Sequence, residues 1–431
     1  MQIHFSYPNV ALLDVPEGRL LAQLEPRRLE PSKPVSQLVE EALDNTIGSP
    51  RVEELVAPNT RVLLLVDDIT RQTPTAALLP SLLRRIEARG CPRKNVKILI
   101  AAGTHARMTQ QELEKKLGAS VLRDYEVHLH HWRALENLRE IGKTEDGTPI
   151  RINRMLGEAD LVMGVGQIVP HRVMGFTGGA TIVQPGVSGP EITGHTHWLS
   201  AVYPGSKILG VADNPVRLEV EQIARKAGLR FIVNVVLDAE QHVIHVVAGD
   251  PVAAHRAGAK HSLAIYGSSQ PRLAEIVVSE SYPADYDLWQ AAKGIYAAEL
   301  SVAQGGVVIL VTPCPHGVAE EHPEVEEVGY LGFEEIKQMV EQGKLADRVA
   351  AAHLVHVGRV IRDMARGIMV CPGIPPDIQR RLGFESANTP QEALDKAFAM
   401  AGKTASVAVL HQGGNVLPLV AESGSTAGRS A

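Results

Sequence analysis

Short, wholly apolar runs alternate with polar turns and helical stretches along most of this chain, and that alternation restricts the fold more than any other feature. RVLLLVDD (61–68) leads to TAALLPSLLRRIEARG (75–90), NVKILIAAGTH (95–105) leads to TQQELEKKLG (109–118), and ADLVMGVG (159–166) runs into a glycine-rich stretch. Runs that are apolar on both alternating faces suit strands covered on both sides, the situation of a parallel sheet with crossover helices. A second series follows the helical GDPVAAHRAGAKHSLAIYG (249–267). EIVVSES (275–281) reads as a strand, DYDLWQAAKGIYAAELSVAQ (285–304) as a helix and GGVVILVTPC (305–314) as a buried strand, with RGIMVCPG (366–373) and ASVAVLHQ (405–412) in the same style. At 431 residues the chain exceeds one core, so the expected fold class is α/β, with two domains built on largely parallel sheets. The expected boundaries are 1–265 for an N-terminal domain and 266–420 for a C-terminal one. The small polar stretch 421–431 reads as a disordered tail or an artificial scar.

Charge and composition narrow the partners. A net charge of −6 without a Lys/Arg-rich block excludes a nucleic-acid footprint. No apolar run approaches the roughly 18 residues that a membrane span needs, and no secretory leader is evident. Cys91, Cys314 and Cys371 are far apart and lack CxxC spacing, so neither a disulfide framework nor a structural zinc site is expected. A cytoplasmic protein with a small-molecule partner is the resulting expectation.

Polar residues just after parallel strands gather at the carboxyl edge of the sheet, where open α/β folds bind ligands. Asp67, Asp68, Arg71, Thr104, His105 and His171 all take such positions. Two histidines on neighbouring strand ends suit acid/base work, because imidazole titrates nearest neutrality. Asp68 and Arg71, in DDITRQTPT, either form a capped turn or orient an imidazole and bind an anion. The loop GFTGGATIVQPG (175–186) has the glycines of a phosphate cradle, yet it is neither GxGxxG nor a P-loop, and Thr181 stands where an anchoring amine could have been. His128 and His130 in VHLHHWR, and His316, Glu320 and His322 in PCPHGVAEEHP, have chelating spacings but read better as a half-exposed strand and a solvated loop. In HTHW (195–198), an extended backbone would let only one of the two histidines face a given site.

Taken together, DDITRQTP (67–74), AAGTHARMT (101–109), PHRVMGFTGG…PG (170–186), HTHW (195–198) and WQAAKG (289–294) resemble the lactate racemase family, in order and separation over most of the chain. Any one piece alone would be weak. The resemblance implies two α/β domains with the active site in the interdomain cleft, and a nickel-pincer nucleotide, a pyridinium bis-thiocarboxylic acid mononucleotide carrying nickel. It makes His105 and His171 the catalytic acid/base pair and His197 the nickel ligand, with His195 able to assist or replace it. Arg71, Lys293 and Gln290 fall where the family binds substrate, and Asp68, Thr177, Gly178, Gly179 and Thr181 fall around the cofactor. In well-known members a lysine ten residues after the catalytic histidine is joined to the pincer; here that position is Thr181, which implies a non-covalent cofactor.

The implied reaction inverts the second carbon of a small 2-hydroxy acid by proton-coupled hydride transfer, with partners limited to that substrate and the proteins that make the cofactor. Three alternatives stay open on the sequence. One is a carrier of nickel or of the finished cofactor. Another is an NAD-dependent dehydrogenase, disfavoured by the missing GxGxxG. The third is a metal-dependent hydrolase, which lacks a third metal ligand.

Overall fold

The structure, a computed structural model, describes residues 1–105 and 107–421. Past Ala421, the expected tail lies outside the described residues. The chain forms mixed α/β structure and divides into two compact units, neither continuous in sequence. A central unit comprises Arg28–Thr196 and Ala212–Ala264; a terminal unit comprises Met1–Arg27, His197–Val211 and the chain from Ile265 onward.

The central unit holds a six-stranded sheet in the order Val243–Gly249, Leu229–Leu237, Leu161–Gln167, Val62–Asp67, Val96–Ala101, Glu126–Leu129. All neighbours are parallel except the edge strand Val243–Gly249, which returns antiparallel beside Leu229–Leu237. Every residue of Val62–Asp67 is buried, as a wholly apolar run demands of a strand covered on both faces. On one face Leu64, Val66, Ile98, Ile100, Val165 and Val233 share a core with Val39, Leu43, Leu79 and Leu82, residues of the helices Val35–Asp44 and Thr75–Ala88. The strands thereby hold their carboxyl ends, and the loops that follow them, in fixed register.

In the terminal unit the six strands are all parallel, ordered Glu385–Ser386, Ala365–Val370, Val302–Val311, Ala274–Glu280, Val407–Leu410, Leu20–Leu24. Helix Leu288–Glu299 packs Leu288, Ala291, Ala292 and Ile295 into the core on one face, and helix Pro390–Ala401 packs Ala393, Leu394 and Ala397 into the core on the other. The boundary expected near 266 marks only where the chain re-enters this unit. Leu20–Leu24 belongs to it because that strand pairs with Val407–Leu410, nearly 400 residues away in sequence, a partnership that local pattern does not reveal. The 195–198 stretch is not extended but part of helix Pro190–Val202. Among the described residues no helix is long and apolar enough to cross a membrane.

Candidate active site

In the central unit, the register pairs Asp67 with Ala101, so Asp68 and the 102–105 loop leave the sheet at the same edge. Asp68 is buried, and its Oδ2 lies 2.6 Å from His105 Nδ1. Its other oxygen accepts the Thr70 hydroxyl at 2.6 Å and the Thr70 amide at 3.2 Å, in an Asx-type turn. Burial alone would push this carboxyl up. The charge and hydrogen bond of His105, with the charge of Arg71 and the Thr70 hydroxyl, outweigh it and bring the carboxyl down to about 2. An ionised carboxylate only accepts, so His105 carries its hydrogen on Nδ1, and in the neutral ring Nε2 is left as the basic nitrogen. Arg71 reaches the same group, donating from Nη1 to Thr70 Oγ1 at 3.1 Å.

Beneath this turn, Lys116 is buried; its Nζ lies 2.7 Å from Asp67 Oδ1 and donates to the Arg71 carbonyl at 2.9 Å. Thr73 donates to the second Asp67 oxygen at 2.5 Å. The Asp67–Lys116 pair therefore fixes the backbone from which Asp68 and Arg71 project. Helix Gln110–Leu117 delivers Lys116, and its start is set by a capping box between Thr109 and Glu112.

His171 follows strand Leu161–Gln167 in a short hairpin, Pro170–His171 against Gly175–Phe176. Its Nδ1 accepts the amides of Val173 and Met174, both at 3.3 Å, which orients the ring on the hairpin. The 102–105 and 175–186 loops are joined by the Gly103 amide donating to the Gly186 carbonyl at 3.0 Å.

The glycines of the loop serve the unit's own packing. Gly178 and Gly179 have φ of +76° and +57°, values that favour glycine. A Cβ at Gly178 would come within 2.7 Å of Ile168 and 2.9 Å of Asn234, and one at Gly179 within 2.9 Å of His255. The Gly179 amide donates to Asn234 Oδ1 at 2.8 Å, and the Thr177 hydroxyl donates to the Gln167 carbonyl at 2.7 Å. Thr181 is half-buried, and its hydroxyl donates to the Gly178 carbonyl at 3.0 Å. Under the loop lies Arg217, fully buried, whose guanidinium burial pushes down to about 9 despite the charge of Glu221.

His195, also in the central unit, is committed on both ring nitrogens: Nε2 lies 2.9 Å from Glu219 and Nδ1 lies 3.1 Å from Asp146. The Glu219 hydrogen bond, more than burial opposes it, raises the imidazole above its ordinary value. A ring with both nitrogens facing carboxylates offers neither to a metal. His197, two residues on, groups with the terminal unit and is half-buried, its carbonyl accepting the Ser200 hydroxyl at 2.6 Å. On a helix two positions apart is about 200°, so the pair still faces two ways.

In the terminal unit, Gln290 and Lys293 sit one turn apart on helix Leu288–Glu299, with Lys293 Nζ donating to Gln290 Oε1 at 2.8 Å. Asp287 caps that helix by accepting the Gln290 amide at 2.9 Å, which fixes where the two side chains start.

The remaining histidine patterns resolve differently from each other. His128 bonds Glu126 at 2.7 Å, while His130 is buried against Ser188 and Asn153, and burial pulls it down to about 4. His316 stacks on Tyr286, and His322, expected in a solvated loop, is instead buried and stacked on Trp289 at 3.9 Å. Ligand atoms of His322, Glu324 and Asp347 lie within 4.8 Å of one another, but Asp347 also caps helix Arg348–Gly358.

Residues 9–208 match the family described as "Lactate racemase N-terminal domain" and residues 270–417 match "Lactate racemase C-terminal domain". A lactate racemase of Lactiplantibacillus plantarum is 30% identical over 395 residues, covering 88% of this chain and 90% of that one. A lactate racemase of Thermoanaerobacterium thermosaccharolyticum is 32% identical over 283 residues, 65% of this chain and 66% of its own. The solved lactate racemase apoprotein from the latter organism superposes with a TM-score of 0.87 at 28% identity, covering 98% of this chain and 100% of that one. A Thermotoga maritima protein shares the fold at a TM-score of 0.70 and 23% identity, covering 90% of this chain and 97% of its own.

Proposed function

This chain belongs to the lactate racemase family and is an isomerase, and from that premise we propose that it inverts the second carbon of a small 2-hydroxy acid such as lactate. The observation that carries the reading is the Asp68–His105 pair at 2.6 Å. It is an oriented imidazole at the carboxyl edge of a parallel sheet, with an arginine linked to it through Thr70. A carrier of nickel or of a cofactor has no use for such a proton-exchanging group.

The side chains fit a nickel-pincer nucleotide. An imidazole of this chain would serve as the protein's ligand to the nickel. His195 is committed to two carboxylates, so we assign the ligand to His197. When bound, the cofactor would supply a centre able to take hydride from the substrate's second carbon and return it. The polypeptide's own part is proton transfer and positioning. His105 Nε2 takes the hydroxyl proton of one stereoisomer and His171 that of the other; each gives a proton back in the reverse direction, so neither direction runs without both. Arg71 offers a planar fork to the substrate carboxylate, and we assign Lys293 and Gln290 to substrate binding on the strength of the family membership. Asp68 orients His105, and we assign Thr177, Gly178, Gly179 and Thr181 to the loop that would lie beside the cofactor. We place the protein in the cytoplasm, supplied with cofactor by separate biosynthetic proteins.

Thr181 has no amine, and its hydroxyl is directed to the Gly178 carbonyl, so the cofactor is held without a covalent bond. Protein produced beside cofactor-making enzymes is expected to interconvert D- and L-lactate. It should retain nickel and nucleotide in native mass spectrometry, and show the bare polypeptide mass once denatured. An adduct that survives denaturation would contradict non-covalent binding, and active protein devoid of nickel would remove the cofactor assignment.

A further inference from the structure

Arg217 is completely buried on helix Pro215–Lys226, a helix started by Asn214 as its cap. Its Nε donates to the Met174 carbonyl at 3.2 Å, Nη1 donates to the Gly178 carbonyl at 3.2 Å, and Nη2 donates to the Phe176 carbonyl. Between them, His255 Nε2 donates to the Thr177 carbonyl at 3.0 Å. Glu221, whose charge acts on this guanidinium, is itself taken by Arg256 at 2.6 and 3.1 Å.

Burying a guanidinium is costly, and a charge spent wholly on neutral carbonyls recovers less of that cost than one paired with a carboxylate. An apolar residue on this helix face would avoid the cost altogether. What the arginine uniquely provides is a rigid fork of donors that fixes three alternate carbonyls at once, which neither an apolar side chain nor a lysine can do. Met174 is thereby held from two sides: Arg217 binds its carbonyl, and its amide donates to His171 Nδ1.

We propose that Arg217 is a positioning residue for His171, holding the 174–178 backbone so that the amides of Val173 and Met174 present the imidazole in one orientation. The proposal rests on the reading of His171 as a proton-transfer residue, and it names a group that touches neither substrate nor cofactor. Loss of the fork lets the turn relax, and a misplacement of about 1 Å at a reacting group can cost roughly 10²-fold in rate.

The test uses full-length Arg217→Lys and Arg217→Ala proteins, loaded with cofactor and checked for folding by melting and circular dichroism. Both are expected to lose roughly 10²-fold in kcat per bound cofactor, with the KM for lactate unchanged. Added guanidinium should restore part of the kcat of Arg217→Ala and none of that of His171→Ala. In the cofactor-free protein, hydrogen exchange at the Val173 and Met174 amides should accelerate in Arg217→Ala, while exchange at Thr70 and Arg71 stays as in the wild type. Folded variants whose kcat falls by less than about threefold, or whose Val173 and Met174 amides exchange at the wild-type rate, would overturn the proposal. Failure of both variants to fold would also overturn it, by assigning Arg217 to stability alone. Should the wild-type protein show no racemisation, the proposed function fails, and the exchange measurement still decides whether Arg217 holds the turn.

Discussion

His105→Ala and His171→Ala should each lower racemisation by about 10²–10⁴-fold, the usual span for a positioned acid or base, and should do so equally from D- and from L-lactate. The symmetry is the informative part. If each direction uses one imidazole as base and the other as acid, neither variant can retain one direction while losing the other. Each histidine stands on a short loop beyond an intact strand, hydrogen-bonded to the carboxylate of Asp68 or to the amides of Val173 and Met174 rather than packed in the core, so folding and cofactor content should remain near wild type. Chiral analysis of the product from each pure stereoisomer checks it. A variant that keeps normal turnover from one stereoisomer would mean that the two histidines do not share the work.

Asp68→Asn should cost nearly as much, although it changes one atom and little of the shape. Thr70 donates to one Asp68 oxygen and His105 Nδ1 to the other. An amide keeping its oxygen toward Thr70 turns its NH2 toward the imidazole, which forces the His105 hydrogen onto Nε2, the wrong nitrogen for taking a proton. The corresponding exchange in a Ser-His-Asp triad costs about 10⁴ in kcat, and an effect on the order of 10²–10⁴ is expected here. Steady-state kinetics at pH 7 reads the loss, and an Asp68→Asn enzyme with wild-type kcat would show that the carboxylate does not set the tautomer.

Stability should follow as well. The folded-state carboxyl lies at about 2, below the ordinary aspartate value near 3.9. The stabilisation is therefore complete above that ordinary value and is lost as pH falls through the folded-state value. The melting-temperature gap between wild type and Asp68→Asn should accordingly be full at neutral pH and shrink as the pH drops below about 4.

Much of the site could be read before the fold was known because its parts are local. The strand-then-polar-turn pattern placed Asp68, Arg71, His105 and His171 at one sheet edge, and each indeed follows a strand of the same sheet. What escaped depends on pairing across long separations. Leu20–Leu24 completes a sheet whose other strands lie beyond residue 273, and nothing within five apolar residues announces that partner. Arg217 meets carbonyls about 40 residues earlier in the chain. The only local hint was an arginine on the same helix as the buried Val216, Val220 and Ile223. Lys116 reads as part of a solvated charged helix until Asp67 is seen 2.7 Å away. The loop glycines were legible as glycines with a purpose but not as to which one. Their missing Cβ atoms make room for Ile168, Asn234 and His255, a reason set by tertiary packing. His195 illustrates the reverse: the resemblance left it able to assist or replace His197 at nickel, and the two carboxylates that engage it, Asp146 and Glu219, come from either side of it in the sequence.

The central claim, inversion at a carbon whose own hydrogen leaves and returns while the two histidines handle only the hydroxyl proton, is tested most directly with lactate deuterated at its second carbon. Cofactor-loaded protein is expected to give inverted product that keeps most of the deuterium, because hydrogen carried as hydride does not exchange readily with water. Complete loss of the label to solvent during turnover would contradict the account, even with racemisation itself confirmed.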